Sequence, residues 1–278
     1  GPAEPEVSIT SGRVRGRVEH GNAVFRGIPF AKPPLFDLRF QPPVPPERWD
    51  GVREAAEFGP QAPQAVFPGT PEAAQVREDT TGEWLTVNVW TPDPEARTLP
   101  VMVWIHGGAY LFGAGGPGYD GTPFASAGVV FVSFNYRLGM EGFAQIPGAT
   151  ANRGLLDAVA ALRWVRDNIE RFGGDPGNVT VFGESAGAGV IAALLAMDAA
   201  KGLFKRAIAQ SVPGTFFSAE LAGTITEAIA ATAGLPASRE ALSEADPLRL
   251  VEAQMDVTAR MTEFLDWGPV RITDTPFS

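Results

Sequence analysis

The sequence predicts an α/β fold, a mixed and mostly parallel sheet flanked by helices, on three observations. Short runs at residues 101–105, 129–134 and 179–182 are apolar throughout, the pattern of strands covered on both faces. Residues 152–172, between the last two runs, carry Leu155, Val159, Leu162, Val165 and Ile169 at helical spacing. Buried strands alternating with amphipathic helices build parallel sheets through right-handed crossovers.

Residues 7–30 open the chain with small or apolar residues alternating with polar ones around a Gly21-Asn22 turn, which predicts a small antiparallel meander. Residues 29–71 are dense in proline, which removes ladder donors, while Phe36, Phe40 and Trp49 supply apolar bulk; an ordered loop laid over the core is expected, neither strand nor helix. Residues 85–90 alternate with period two, as a half-buried antiparallel strand does. In the helix over 152–172, Asn152 is a suitable N-cap and residues 173–176 (Gly-Gly-Asp-Pro) are a stop. A further strand is expected over 206–210, then Ala-rich helices over about 219–233 and 246–264. Residues 215–278 thus form a cap or insertion within one domain spanning 1–278.

Composition excludes several functions. With 278 residues and 45% hydrophobic content, the chain can bury a large core. A formal charge of −10, from 22 Lys+Arg against 32 Asp+Glu, repels phosphate backbones and anionic head groups, so no nucleic-acid partner is expected. The absence of cysteine excludes disulfides and thiolate chemistry. No apolar run reaches the ~18 residues of a membrane span. The start has no basic and apolar leader pattern, and with the missing cysteine this predicts a cytoplasmic rather than secreted setting. Only two histidines are present, His20 and His106.

The sharpest motif is G-x-S-x-G over residues 183–187, between the apolar run at 179–182 and the helical run from 190. This is the context of a nucleophile elbow, in which a strained strand-to-helix turn lifts the serine hydroxyl above the sheet. Ser185 is the candidate nucleophile, and Gly183 and Gly187 stand where a Cβ would collide with neighbouring elements. The helix start favours developing negative charge, making the Ala186 N–H a candidate oxyanion donor. His106-Gly107-Gly108 follows the strand at 101–105 directly, the H-G-G pattern whose backbone N–H groups complete an oxyanion hole. Phe112, Phe216 and Phe217 are candidate acyl-pocket walls, because each lies just beyond an oxyanion or sheet element, with core packing the alternative reading of all three.

These motifs resemble the type-B carboxylesterase family, which includes bacterial p-nitrobenzyl esterases and the cholinesterases, and the resemblance extends over nearly the whole chain. Residues 25–31 (Phe-Arg-Gly-Ile-Pro-Phe-Ala) are similar to its F-x-G-I-P-Y-A segment, and 85–90 to its L-x-L-N-V-W strand. Residues 135–139 match its N-Y-R-L-G segment, and 172–187 its nucleophile signature. The resemblance implies an α/β-hydrolase fold and a carboxylic ester hydrolase working through a serine acyl-enzyme on small-molecule esters, with no metal or cofactor. It implies Ser185 as nucleophile, Gly107, Gly108 and Ala186 as oxyanion donors, and Glu184 as a polar-network residue. Arginine heavily outnumbers lysine (Lys32, Lys201 and Lys205), which suggests a GC-rich bacterial source.

One departure matters. Family members run to about twice this length, with the triad in the order Ser, Glu, His. No histidine follows Ser185. His20 is expected as an exposed turn residue and His106 as a loop-structuring one, while Glu220, Glu240 and Glu263 lie too early or in cap-like helices to be the triad acid. The chain is therefore expected to be C-terminally incomplete, with the acid and histidine supplied by a missing C-terminal segment and little activity in isolation. A noncatalytic, adhesion-like binding protein on this scaffold, and an amide or carbamate hydrolase using the same machinery, stand as alternatives.

Overall fold

The structure, a computed structural model, describes residues 3–64, 81–106, 120–184, 186–210 and 219–265. Its strands are β1 (Glu6–Ile9), β2 (Gly12–Arg15), β3 (Arg17–Glu19), β4 (Asn22–Pro29), β5 (Val52–Glu54), β6 (Thr86–Thr91), β7 (Leu99–Ile105), β8 (Val130–Phe134), β9 (Gly174–Glu184) and β10 (Arg206–Gln210). The helices are α1 (Thr122–Ser126), α2 (Gly139–Phe143), α3 (Arg153–Asn168), α4 (Ala186–Leu195), α5 (Ala219–Thr232), α6 (Arg239–Ser243) and α7 (Pro247–Leu265).

Seven strands form the main sheet in the order β10-β9-β7-β8-β6-β4-β3. The β10, β9, β7 and β8 strands run parallel, while β6, β4 and β3 extend the sheet antiparallel. This is the mixed sheet flanked by helices that the apolar runs predict, with three of its strand pairings parallel and three antiparallel. The N-terminal strands pair antiparallel as expected, β1 with β2 and β3 with β4, but they divide between two sheets. The second sheet has the order β1-β2-β5, with β5 parallel to β2. The proline-rich stretch therefore contains one short strand, as well as a 3-10 turn at Phe36–Leu38, where ordered loop alone was expected.

Three elements differ from their sequence patterns for physical reasons. β6 is buried along its whole length, not half-buried, and two of its polar residues, Asn88 and Thr91, find partners inside. The Asn88 carboxamide accepts from the Gly27 N–H at 2.9 Å and donates to the Ser133 hydroxyl at 3.1 Å, and the Thr91 hydroxyl donates to the Phe172 carbonyl at 2.6 Å. On β7, by contrast, only alternate residues Val101, Val103 and Ile105 are fully buried. Asn152 sits at the N-cap position of α3 but in the left-handed conformation (φ 54°), and its side chain caps nothing. The helix tightens to a 3-10 turn over Ile169–Phe172 and stops at Gly173 as expected.

Val159, Leu162, Val165 and Ile169 are fully buried in one continuous core with Phe25, Phe134 and Val181. A buried ionic cluster lies beside it. The Arg39 guanidinium grips the Glu141 carboxylate with Nε at 3.0 Å and Nη2 at 2.5 Å, and donates to the Ser243 and Ala245 carbonyls. One side chain thus ties the proline-rich stretch, α2 and the turn between α6 and α7 together. The two Ala-rich helices form where expected, and α7 packs on both α5 and α2. The short α6 between them was not anticipated; the Ser238 hydroxyl caps it by accepting from the Ala241 N–H at 3.2 Å.

Candidate active site

The two motif-bearing segments leave the sheet side by side. β7 and β9 are adjacent and parallel, with Ile105 in register with Gly183 and Trp104 with Phe182. Both chains exit at the carboxyl ends of their strands, the rim where open α/β sheets bind ligands. Between the last residue of β9, Glu184, and the first of α4, Ala186, there is one residue. β9 thus gives way to α4 across a single position.

Close packing explains the two glycines that flank position 185. A Cβ on Gly183 would lie 2.8 Å from the Ile105 carbonyl oxygen and 3.0 Å from the Gly187 carbonyl carbon. A Cβ on Gly187 would overlap the Ile105 oxygen outright and lie 2.8 Å from that of His106. The first turn of α4 therefore rests directly on the backbone that leads into the H-G-G segment. Ser185, Gly107, Gly108, Phe112, Phe216 and Phe217 lie outside the described residues; Ala186 opens α4, at the helix end where free N–H groups favour negative charge.

The histidines occupy the places expected of them. His106 is fully buried, its ring stacked on Tyr136 at 4.4 Å with 14° between planes, and its carbonyl accepts from the Tyr136 hydroxyl at 3.1 Å. His20 is exposed in the β3–β4 turn with φ 51°. Since β4 and β3 lie four and five strand positions from β9, this turn is about 19–24 Å across the sheet from the end of β9. Glu184 is exposed at the end of β9, where it lies in register with Gln210 of β10.

Charged residues to which the sequence assigned no role are buried beside these segments. Asp157 accepts from the Arg137 backbone N–H at 2.9 Å, its Nε at 2.9 Å and its Nη2 at 2.8 Å, entirely out of solvent. Arg153 donates to four carbonyls, those of Met140, Glu141, Ala144 and Thr150, at 2.6 to 3.1 Å. Burial, and then the neighbouring positive charge of Arg137, push the Arg153 guanidinium down to about 10, so it stays charged at neutral pH. The signal available in the sequence was spacing: Arg153, Asp157, Ala161 and Val165 recur every fourth residue on the buried face of α3, where an exposed face would be the ordinary place for charge.

A family model described as the carboxylesterase family matches residues 3–277, all but the extreme ends of the chain. The chain belongs to the carboxylesterase family. It is 44% identical over 267 residues to the para-nitrobenzyl esterase of Bacillus subtilis, covering 89% of this chain and 54% of that protein. It is 43% identical to human carboxylesterase 3, covering 84% of this chain and 45% of that one. Its fold superposes on the crystal structure of a carboxylesterase of Geobacillus stearothermophilus with a TM-score of 0.80 at 42% identity, covering 97% of this chain and 56% of the other. The fold is thus that of the α/β-hydrolase carboxylesterases, and the chain spans about half the length of the curated relatives it matches. These relatives come from both bacteria and human, so membership in the carboxylesterase family does not itself assign the bacterial source that the arginine excess suggested.

Proposed function

We propose that the whole protein hydrolyses small carboxylic esters through an acyl-enzyme on Ser185. The Ser185 oxygen bonds to the ester carbonyl carbon while its proton passes to a histidine base; the alcohol then departs with that proton, and water releases the acid by the same steps. Gly107, Gly108 and Ala186 are the proposed donors to the tetrahedral oxyanion, each worth roughly 3 kcal/mol of transition-state stabilisation. Phe112, Phe216 and Phe217 are the proposed acyl-pocket walls. The base and its carboxylate partner are proposed to come from chain beyond these 278 residues, since His106 is consumed in packing and His20 is distant. Helices α5 to α7 are the proposed cap.

One observation carries this reading: the first turn of α4 is pressed so closely onto Ile105 and His106 that only glycine fits at 187. Packing alone gains little from two adjacent glycine-dependent contacts, whereas a hole shared by the 106–108 backbone and the α4 N-terminus requires that closeness. No helix of the described residues is long and apolar enough to cross a membrane. A fluorophosphonate should label the full-length protein, and Ser185→Ala should abolish both the label and ester turnover. An unlabelled but folded full-length protein would favour the noncatalytic, adhesion-like alternative.

A further inference from the structure

We infer that the cavity between the β3–β4 turn and α1 binds a small α-amino acid in its zwitterionic form. This would be a second site, and it does not depend on the ester reading. Trp90, one of its walls, is in register with Phe131, the second residue of β8. The cavity therefore lies at the amino ends of the parallel strands, whereas position 185 follows the carboxyl end of β9. Its volume is about 200 Å³. That is below the ~300–1,000 Å³ of pockets for drug-sized molecules, so the ligand must be small.

The lining carries both signs of charge on separate anchors. Arg26 projects from β4, its guanidinium carbon 5.1 Å from the centroid of the Phe58 ring and 5.5 Å from that of Trp90. Its Nη1 donates to the Glu19 carboxylate at 2.7 Å. Asp120 stands just before α1, where its carboxylate accepts from the Thr122 N–H at 2.9 Å. That bond and then the Thr122 hydroxyl hold it below the usual carboxylate range, and Arg26 and His20 add their attraction. The frame around these groups is tied together: the Asn22 carboxamide donates to the Ser126 hydroxyl of α1 at 3.3 Å, and the Arg26 N–H to the Ala55 carbonyl at 2.8 Å. Opposite charges that serve stability alone close on each other, as Arg39 does on Glu141. Arg26 and Asp120 are instead fastened to different partners around one cavity. A lone anion there would meet the Glu19 and Asp120 carboxylates, and a lone cation would meet the guanidinium. A zwitterion can give its ammonium to Asp120 and its carboxylate to Arg26 and His20, a charge-assisted hydrogen bond at each end. A short apolar side chain would then rest on Phe58.

The test is a saturation-transfer NMR titration of the full-length protein with L-valine, which should bind saturably with a Kd on the order of 1 mM. Isobutylamine keeps the ammonium and the branched tail but lacks the carboxylate, and isovalerate lacks the ammonium. Each loses one charge-assisted bond and should bind roughly tenfold or more weakly. Asp120→Asn should weaken valine by a similar factor, and because Asp120 is exposed the replacement leaves the core intact. Arg26→Gln should do the same from the other end of the ligand. Isobutylamine binding as tightly as valine would overturn the inference in favour of a plain cation site, and isovalerate doing so in favour of a plain anion site. Absence of valine binding, or unchanged affinity in Asp120→Asn, would remove the site altogether. None of these outcomes bears on acylation at Ser185, which is read by its own label.

Discussion

Replacing Gly187 with alanine puts a methyl group into the tightest contact near the elbow. The added carbon would overlap the Ile105 carbonyl oxygen and lie 2.8 Å from the His106 oxygen and 3.0 Å from the Ile105 carbonyl carbon. All three are backbone atoms, so no side chain can swing aside. Restoring ordinary contact distances of about 3.5 Å requires the first turn of α4 and the end of β7 to part by about 1 Å. Overpacking of this kind typically costs ~1–3 kcal/mol. A displacement of about 1 Å in a catalytic constellation can cost ~10²-fold in rate. Urea denaturation and p-nitrophenyl ester turnover of the full-length protein should therefore both fall, turnover much the more. Gly223→Ala is the matched control, because a Cβ there meets nothing within 4 Å on α5. It should stabilise the protein by ~0.5–1 kcal/mol and leave turnover alone. If Gly187→Ala kept wild-type stability and turnover, the idea that the elbow glycines exist to seat the helix on the H-G-G backbone would be refuted.

Three further outcomes are expected. Arg39→Leu leaves the Glu141 carboxylate buried without its partner and frees the 243–245 turn, so stability in urea should fall by ~3–5 kcal/mol; the Arg39→Leu/Glu141→Leu pair should recover much of that, and no recovery would contradict the charge argument. Thr91→Val strips the Phe172 carbonyl of its 2.6 Å donor inside the core and should cost ~1–2 kcal/mol in the same assay, an undiminished midpoint counting against it. Asp120 is held below the usual carboxylate range by the Thr122 backbone N–H and then its hydroxyl, with Arg26 and His20 adding attraction. The folded state therefore binds that proton more weakly than the unfolded chain, and the stability it contributes is complete above about pH 4 and lost as pH falls through the lowered value. The thermal midpoint of Asp120→Asn should lie below wild type at pH 6 and converge with it near pH 2, whereas a constant gap would exclude the linkage.

The elements legible in the sequence are those whose burial is written in one-dimensional pattern. The all-apolar run of β8 and the helical stripe of α3 need no knowledge of their neighbours to be recognised, and the glycine pair around position 185 announces the elbow. Elements that depend on distant partners were not legible. β6 alternates in sequence yet is buried on both faces, because Asn88 and Thr91 are satisfied by Gly27, Ser133 and Phe172. β5 is three residues long and exists by pairing with β2 across some forty residues of chain. Asn152 has the chemistry of a cap, but the left-handed backbone that leads into α3 turns its side chain away from that role. In the candidate site, sequence pattern pointed to the nucleophile, the donor loop and the 135–139 segment, but not to the bonds that join Tyr136 to His106 and Arg137 to Asp157. Charged residues reveal their partners only once the fold has brought them together.

The most direct test of the central claim is to mix the full-length protein with a p-nitrophenyl ester, quench in acid within the first turnover, and map the added acyl mass by peptide mass spectrometry. The account predicts an acyl group on the peptide containing Ser185, appearing with the burst of nitrophenol and absent in Ser185→Ala. Brisk turnover with the acyl group on another residue, or undiminished turnover in Ser185→Ala, would contradict it.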